Sequence, residues 1–404
     1  MIALLKKRST HFILALLLGI LTGLTQIPTL IGISAFVATV FVSLLKLISI
    51  PLIFLAIVST ITQMKDMQEF RILGVQVFKY TVLTTIIAAS IGLILFLIIN
   101  PVQVSTTLEI AQTMETPAGT YWDYLIKGIP SNFVAPFSEG NVIAVLVLGL
   151  MMSFAILALP TTQKNLLSDV FTALFAAILE IAKTILLFIP IAIWAFVTEF
   201  VATLETMESL ETIGLFLACV LLANLIQAFI VLPGFLKYKG ISPIKVFKAM
   251  SPALNVAFWS KSSAATLPLT LQCAKERLGI SEKTAGFSLP LCTAINMNAC
   301  AGFIIITVLF VAMSNGIDFS ILEMIAWVFI ATLAAIGNAG VPMGCYFLAL
   351  ALLSTMNVPL TLMFIILPFY TFLDMLETTI NVWSDACVTS VVDAESTITK
   401  SPRK

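Results

Sequence analysis

The chain has 404 residues, 60% of them hydrophobic and only 10% charged, with 21 basic side chains against 21 acidic ones. That balance excludes an ordinary soluble domain and, with no basic tract of any length, a nucleic-acid binder, and it places the chain among polytopic membrane proteins. The single histidine, His11, and six cysteines without paired spacing offer neither a zinc framework nor a disulfide one.

Lys6-Lys7-Arg8 ahead of the apolar run Phe12 to Leu24 has the layout of a secretory signal. No small-x-small cleavage site follows, and Gln26-Ile27-Pro28 leads into a second apolar run, so the segment reads as a retained first span. Further apolar runs give spans near 11–30, 34–62, 75–99, 141–160, 166–198, 211–236, 284–314 and 358–392. The expected fold is an all-α polytopic membrane protein with about eight transmembrane helices of roughly 20 residues or more. Asn100-Pro101 stops the third span, because proline cannot continue the hydrogen-bond ladder. The stretch 102–140 is polar and rich in Thr, Pro and Gly, as an external loop leading into an irregular fourth element.

Segments 244–274 and 321–355 are atypical. The first holds Lys261-Ser262-Ser263-Ala264-Ala265-Thr266-Leu267-Pro268 and the second Gly337-Asn338-Ala339-Gly340-Val341-Pro342-Met343-Gly344. Both put Ser, Gly or Pro where a spanning helix should be most regular, which is tolerated only inside protein or against a cavity. A pair of interrupted segments in corresponding positions points to a transporter binding site, with freed amides for a carboxylate and freed carbonyls for sodium. Two proline-kinked helices are the plainer alternative. Charge decides for re-entrant hairpins. With the N-terminus in the cytoplasm and each hairpin entering and leaving on one side, the loop lysines and arginines fall inside, with Lys127 as the exception.

Between the hairpins, Thr293 to Gly302 forms a polar break in which Asn296 and Asn298 offer oxygens suited to hard cations. On the third span, Thr84 and Thr85 add adjacent hydroxyls. In the last span, Asp374, Glu377, Thr378, Asn381 and Asp385 line one helical face. A charge at the bilayer centre costs roughly 2.5–3.5 kcal/mol on insertion scales, so these residues face protein or a wet cavity. Asn or Thr alone would serve to glue helices, whereas three acids suggest a site that handles cations.

Together these motifs resemble the dicarboxylate/amino acid:cation symporter family of glutamate-transporter type, over most of the chain and most strongly from Lys248 to Asp393. The serine-rich first tip is matched by Ser262 to Pro268, with Ala264 in place of a third serine. The Asn-Met-Asp-Gly-Thr break appears as Asn296-Met297-Asn298-Ala299-Cys300, and the second tip as Gly340-Val341-Pro342-Met343-Gly344-Cys345. The last helix keeps every polar position of Asp-Met-x-Arg-Thr-x-x-Asn-Val-x-x-Asp except one, where Glu377 stands for arginine. Gly128-Ile129-Pro130-Ser131-Asn132 and the run 140–149 also look like the family's fourth element.

The resemblance implies an elevator-type, sodium-coupled amino-acid transporter with inverted repeats, a homotrimer in the plasma (inner) membrane with both termini cytoplasmic. It divides the single unit 1–404 into scaffold and trimerisation helices at 1–73 and 100–200, and a sliding body at 74–99 and 209–393 that carries both hairpins. Residues 394–404 would be a cytoplasmic tail. Asp374 would accept the substrate's ammonium, Asn381 and the tip at Ser262 and Ser263 its carboxylate, and Thr378 would lie near its side chain. Val341 and Pro342 would close the second tip as outer gate. Asp385, Asn381 and Asn296 would contribute to one sodium site, and carbonyls around Ala335 and Asn338 to another. Asn298, where the family carries an acid, would weaken the third, formed with Thr84, Thr85 and Asn296. Glu377 removes the guanidinium that would clasp an acidic side chain, so a neutral amino acid is expected, or a cationic one if Lys261 does not pair with Glu377.

Other classes fit less well. An aspartyl protease needs facing carboxylates on two elements, whereas Asp374 and Asp385 share one helix. A serine or cysteine hydrolase lacks a base, since the only histidine is terminal. A channel would show flux without saturation or coupling.

Overall fold

The computed structural model of the chain describes residues 8–62, 73–102, 132–138, 142–203, 207–338 and 343–400, and their regular structure is entirely helical. Helices α1 (Arg8–Leu24) and α2 (Pro28–Thr62) are followed by α3 (Val75–Ile99), a single turn at Ala135–Ser138, α4 (Val142–Leu157), α5 (Thr161–Leu186) and α6 (Ile189–Thr203). Helix α7 (Met207–Ile226) passes through a π-turn at Gln227–Val231 into a last piece, Leu232–Tyr238. Then come α8 (Pro243–Ser260), α9 (Ser263–Leu278), α10 (Glu282–Ile295), α11 (Asn298–Ser314), α12 (Ile321–Ile336), α13 (Gly344–Thr355) and α14 (Thr361–Lys400).

Helix ends follow local chemistry. Asn100 takes the left-handed conformation (φ 47°) that ends α3, its N–H donating to the Phe96 carbonyl at 2.9 Å. Asn132 Oδ1 accepts from the N–H groups of Val134 and Ala135, at 2.8 and 2.7 Å, and so starts the turn at 135–138. Ser320 and Glu323 form a reciprocal capping box at the head of α12.

The structure departs from the expected spans in three places. The run 166–198 is two helices, because the ladder breaks at Leu187 and Phe188 and Pro190 enters the first turn of α6, where a missing N–H costs nothing. In the first hairpin only Lys261 and Ser262 leave the helical path, and Pro268 sits inside α9. The last helix runs through Lys400, so the expected tail 394–404 is helical up to that residue. The second tip at 339–342, residues 63–72 and most of the stretch 102–140, expected as an external loop, lie outside the described residues.

Among the described residues, four helical stretches are long and apolar enough to cross a membrane: Val75–Ile99, Glu211–Tyr238, Glu282–Ser314 and Thr361–Ser396. The hairpin helices α8, α9, α12 and α13 have 18, 16, 16 and 12 residues. All fall short of the roughly 20 that a full crossing needs.

Two close approaches set the packing. A Cβ on Gly19 would lie 2.7 Å from Val197 Cβ, and one on Gly23 would lie 2.6 Å from Val201 Cβ. The Gly-x-x-x-Gly spacing therefore lets α1 press onto α6, as small residues do between membrane helices. On the other side, a Cβ on Gly92 would meet Ile305 at 2.9 Å and the Gly302 carbonyl at 3.2 Å, so α3 lies directly against α11. One apolar core joins α1, α2, α4 and α6 to α11–α13 and to α14 as far as Leu373. A second fills the space among α8–α10, the end of α7 and α14 from Ile380 onward. The polar stripe of α14 lies where the two cores meet.

Candidate functional site

Helix α14 turns its polar stripe inward. Asp374, Glu377, Thr378, Asn381 and Asp385 are all buried, Glu377 and Asp385 at 1% exposure. The stripe has two halves with different surroundings.

The half around Asp385 faces the break between α10 and α11. Asn296 and Met297 leave the helical conformation there (φ −97° and −105°), which turns the Asn296 side chain towards α14. Its Nδ2 donates to Asp385 Oδ1 and to Ser384 Oγ, both at 3.0 Å, and Thr293 Oγ1 donates to Asp385 Oδ2 at 3.4 Å. Asn381 Oδ1 accepts from the Ala299 N–H at 3.0 Å, one of the donors left over where α11 begins. Asn298 Nδ2 donates to Asn296 Oδ1 at 2.8 Å and to Thr85 Oγ1 at 3.3 Å. Gln227 Nε2 in turn donates to Asn298 Oδ1 and to the Thr84 carbonyl. Three amides thus run in series, each donating towards Asp385.

The half around Asp374 and Glu377 faces the second hairpin. Asp374 Oδ1 accepts from the Met343 N–H at 3.3 Å. Met343 holds a left-handed conformation (φ 59°) at the head of α13. For a side chain other than glycine this costs roughly 1–2 kcal/mol. Glu377 Oε2 accepts from Tyr370 Oη at 3.1 Å. Asn338 Nδ2 lies 3.5 Å from both Cys300 Sγ and Cys345 Sγ. Asp374 Oδ2, Glu377 Oε1 and Asn338 Oδ1 are buried and meet no hydrogen-bond donor among the described residues. At the first tip Lys261 is also left-handed (φ 55°), and its ammonium acts electrostatically on Asp374. Ser262 Oγ is engaged as the cap of α9, accepting from the Ala265 N–H at 3.2 Å, and Ser263 is buried behind it.

The structure therefore brings Asn296, Asn298, Asn381, Asp385, Thr84 and Thr85 into one polar region. It sets Asp374 beside the head of α13. Val341 and Pro342 lie outside the described residues. Three contributors escaped the sequence reading. Tyr370 stands one turn before Asp374 and extends the stripe, Ser384 adjoins Asp385, and Gln227 is one of two amides, with Asn224, in the otherwise apolar run 221–231. The donors here are amides, hydroxyls, carbonyls and single carboxylates, a set suited to hard cations. Among the described residues no group of three His, Cys, Asp or Glu side chains could hold a metal ion.

Comparison with known proteins gives this oxygen-rich centre a context. Excitatory amino acid transporter 3 of Mus musculus is 26% identical over 413 residues, covering 89% of this chain and 78% of that one. The human protein of the same name is 26% identical over 440 residues, covering 94% and 83%. The L-cystine uptake protein TcyP of Bacillus cereus is 28% identical over 369 residues, covering 85% and 77%. The family model described as sodium:dicarboxylate symporter family matches residues 9–395, nearly the whole chain, so the chain belongs to that family of membrane transporters.

Proposed function

We propose that the protein is a secondary active symporter that couples sodium entry to uptake of an amino acid, neutral rather than acidic. The observation that carries this reading is the pair of buried carboxylates one helical turn apart, Asp374 and Glu377, each with an oxygen that no described group satisfies. Buried carboxylate oxygens in native proteins are almost always partnered, so this pair is built to receive donors from a ligand. Asp374 takes the substrate's ammonium, the Ser262–Ser263 tip and Asn381 its carboxylate, and Thr378 lies along its side chain. Glu377 stands at the side-chain end. A carboxylate there repels an acidic side chain, where an arginine would hold it with two charge-assisted hydrogen bonds.

Sodium goes to the oxygens around Asp385, Asn381 and Asn296, and to carbonyls near Ala335 and Asn338. The interruption at Lys261 and Ser262 and the left-handed Met343 at the head of α13 support two re-entrant hairpins, and the family supports a homotrimer in the plasma (inner) membrane, cytoplasmic termini and an elevator motion of 74–99 with 209–393 against the scaffold. Lys261 acts on Asp374, so before substrate arrives it offsets the charge that later meets the ammonium. A specific form of the neutral reading follows from the paired acids and the cystine-uptake relative: a double-ended zwitterion such as L-cystine brings one ammonium for each carboxylate.

Calorimetry with aspartate, serine, glutamine, arginine and cystine tests this. Aspartate and glutamate should bind at least tenfold more weakly than the best neutral ligand, about 1.4 kcal/mol. Glu377→Arg should move preference towards aspartate. Tight aspartate binding by the natural protein would overturn the reading.

A further inference from the structure

The amide that heads the series towards Asp385 comes from an element outside the motifs. Gln227 is 1% exposed and opens the π-turn Gln227–Val231 of α7. A π-turn inserts one residue into the helical repeat and so re-aims the side chain at its start. The distortion is supported from α14, whose Trp383 Nε1 donates to the Ala228 carbonyl at 3.1 Å. The result is that one NH2 group reaches between α3 and α11, where it donates to the Thr84 carbonyl at 3.3 Å and to Asn298 Oδ1.

Those two oxygens face the Gln227 amide, and Thr85 Oγ1 and Asn296 Oδ1 face the Asn298 amide beside it, all four being oxygens of the kind a hard cation takes. Each is already engaged by an N–H. Thr84 O and Asn298 Oδ1 accept from Gln227, and Thr85 Oγ1 and Asn296 Oδ1 accept from Asn298. None of the four oxygens, one a backbone carbonyl and three on side chains, belongs to a carboxylate, so the cluster has hydrogen-bond donors of its own and no formal charge to draw a cation. Displacing the amide would leave its two N–H groups unpaired in the interior, at the full desolvation cost of each.

We propose that the Gln227 NH2 group occupies the place in this cluster that a cation would otherwise take. It thereby sets the number of sodium ions bound to one fewer than the surrounding oxygens would hold. The proposal rests on the sodium-coupled reading above. It also predicts that Asn298→Asp alone is insufficient to create a cation site: the change frees Thr85 Oγ1 and Asn296 Oδ1, but Gln227 still holds the Thr84 carbonyl and one carboxylate oxygen.

The test uses sodium alone. Thermal unfolding of the purified full-length protein is followed against sodium chloride, with choline chloride holding ionic strength constant, since the slope of stability with log concentration counts the ions bound to the folded state. The slope should be the same for the natural protein and for N298D. It should rise by the equivalent of one ion in N298D/Q227M, in which the side chain keeps its length and loses its donors. A steeper slope in N298D alone would overturn the proposal, as would an unchanged slope in the double variant. If N298D/Q227M does not fold, N298D/Q227L decides by the same criterion. A natural protein whose unfolding ignores sodium altogether would instead remove the sodium-coupled reading, and this proposal with it.

Discussion

One helix presents two buried acids in opposite circumstances. Around Asp385, Asn296, Thr293 and the amides behind them meet the carboxylate from α10 and α11. Around Asp374, one backbone N–H, one tyrosine hydroxyl and the Cys345 thiol serve two carboxylates, the Lys261 ammonium acts on Asp374, and one oxygen of each carboxylate is left without a hydrogen bond from the described residues. Both halves are equally buried, so burial alone does not separate them. Partner count does. A satisfied polar network rigidifies its surroundings, whereas an unsatisfied one is costly until something binds. The difference supports the proposed division, with Asp385 in a region the protein itself preforms and Asp374 in one left for a ligand to complete.

The strongest way to break that contrast is to neutralise each acid in turn. On the proposed function, Asp374→Asn removes the charge that would meet the substrate's ammonium without emptying the space. Binding of the preferred amino acid should weaken at least about 100-fold, near 2.7 kcal/mol. Folding should be nearly unaffected, because Asp374 accepts only the Met343 N–H and an asparagine oxygen still can. Asp385→Asn should do the reverse, lowering thermal stability and sodium dependence while the order of preference among amino acids stays the same. Calorimetry and thermal unfolding of the two variants side by side check both. Retained tight binding in Asp374→Asn would remove that residue from the substrate site.

How much of this was legible in advance depends on which forces placed each residue. The stripe from Asp374 to Asp385 could be read because the helical period alone puts its members on one face. The break at Asn296 was visible as polarity inside an apolar run. The split between α5 and α6 was not, since Leu187 and Phe188 are as apolar as the helices they separate. The role of Gln227 is set by a π-turn and by neighbours far away in the chain, and neither leaves a periodic trace. Lys261 acts electrostatically on Asp374, a residue on another element; the sequence posed only its pairing with Glu377.

A smaller effect sharpens the ligand-completed half. Met343 holds a left-handed conformation while its N–H reaches Asp374, so part of the tip geometry is held against local preference. Met343→Gly relaxes that cost, roughly 1–2 kcal/mol. The gain appears in folding only so far as glycine's greater unfolded-state entropy does not offset it, by about 0.4–1 kcal/mol. A net change within about 1 kcal/mol is therefore expected, together with faster substrate exchange from a less rigid tip. Stopped-flow dissociation of the bound amino acid measures the rate. Slower release in the glycine variant would mean that the methionine side chain opens the tip rather than stiffens it.

The smallest expected effect lies at the far end of the same helix, where Glu395 serves as a control for Asp374 and Asp385. Glu395 is partly exposed and accepts from Lys239 Nζ at 2.7 Å and from Tyr80 Oη at 2.6 Å. Lys239 also donates to Tyr80 Oη at 2.8 Å, so α14 is tied to α3 and to the chain just after α7. Here the acid has both partners and some water, with side-chain exposures of 25% for Lys239 and 29% for Glu395. The hydrogen bond to Glu395, and after it the one to Tyr80, raises the Lys239 ammonium above its ordinary value. A raised lysine contributes its full stability below the unfolded value of about 10.4 and loses it only as pH climbs through the higher folded value. Glu395→Gln should therefore lower stability by less than about 1 kcal/mol, the usual range for a solvent-screened pair. That decrement should be the same at about pH 6 and pH 9, both below the window in which Lys239 titrates. Amino-acid binding should not change. A loss of binding comparable to that in Asp374→Asn would show that the clamp at the end of α14 controls the site, and that the contrast between its acids is not one of local partners alone.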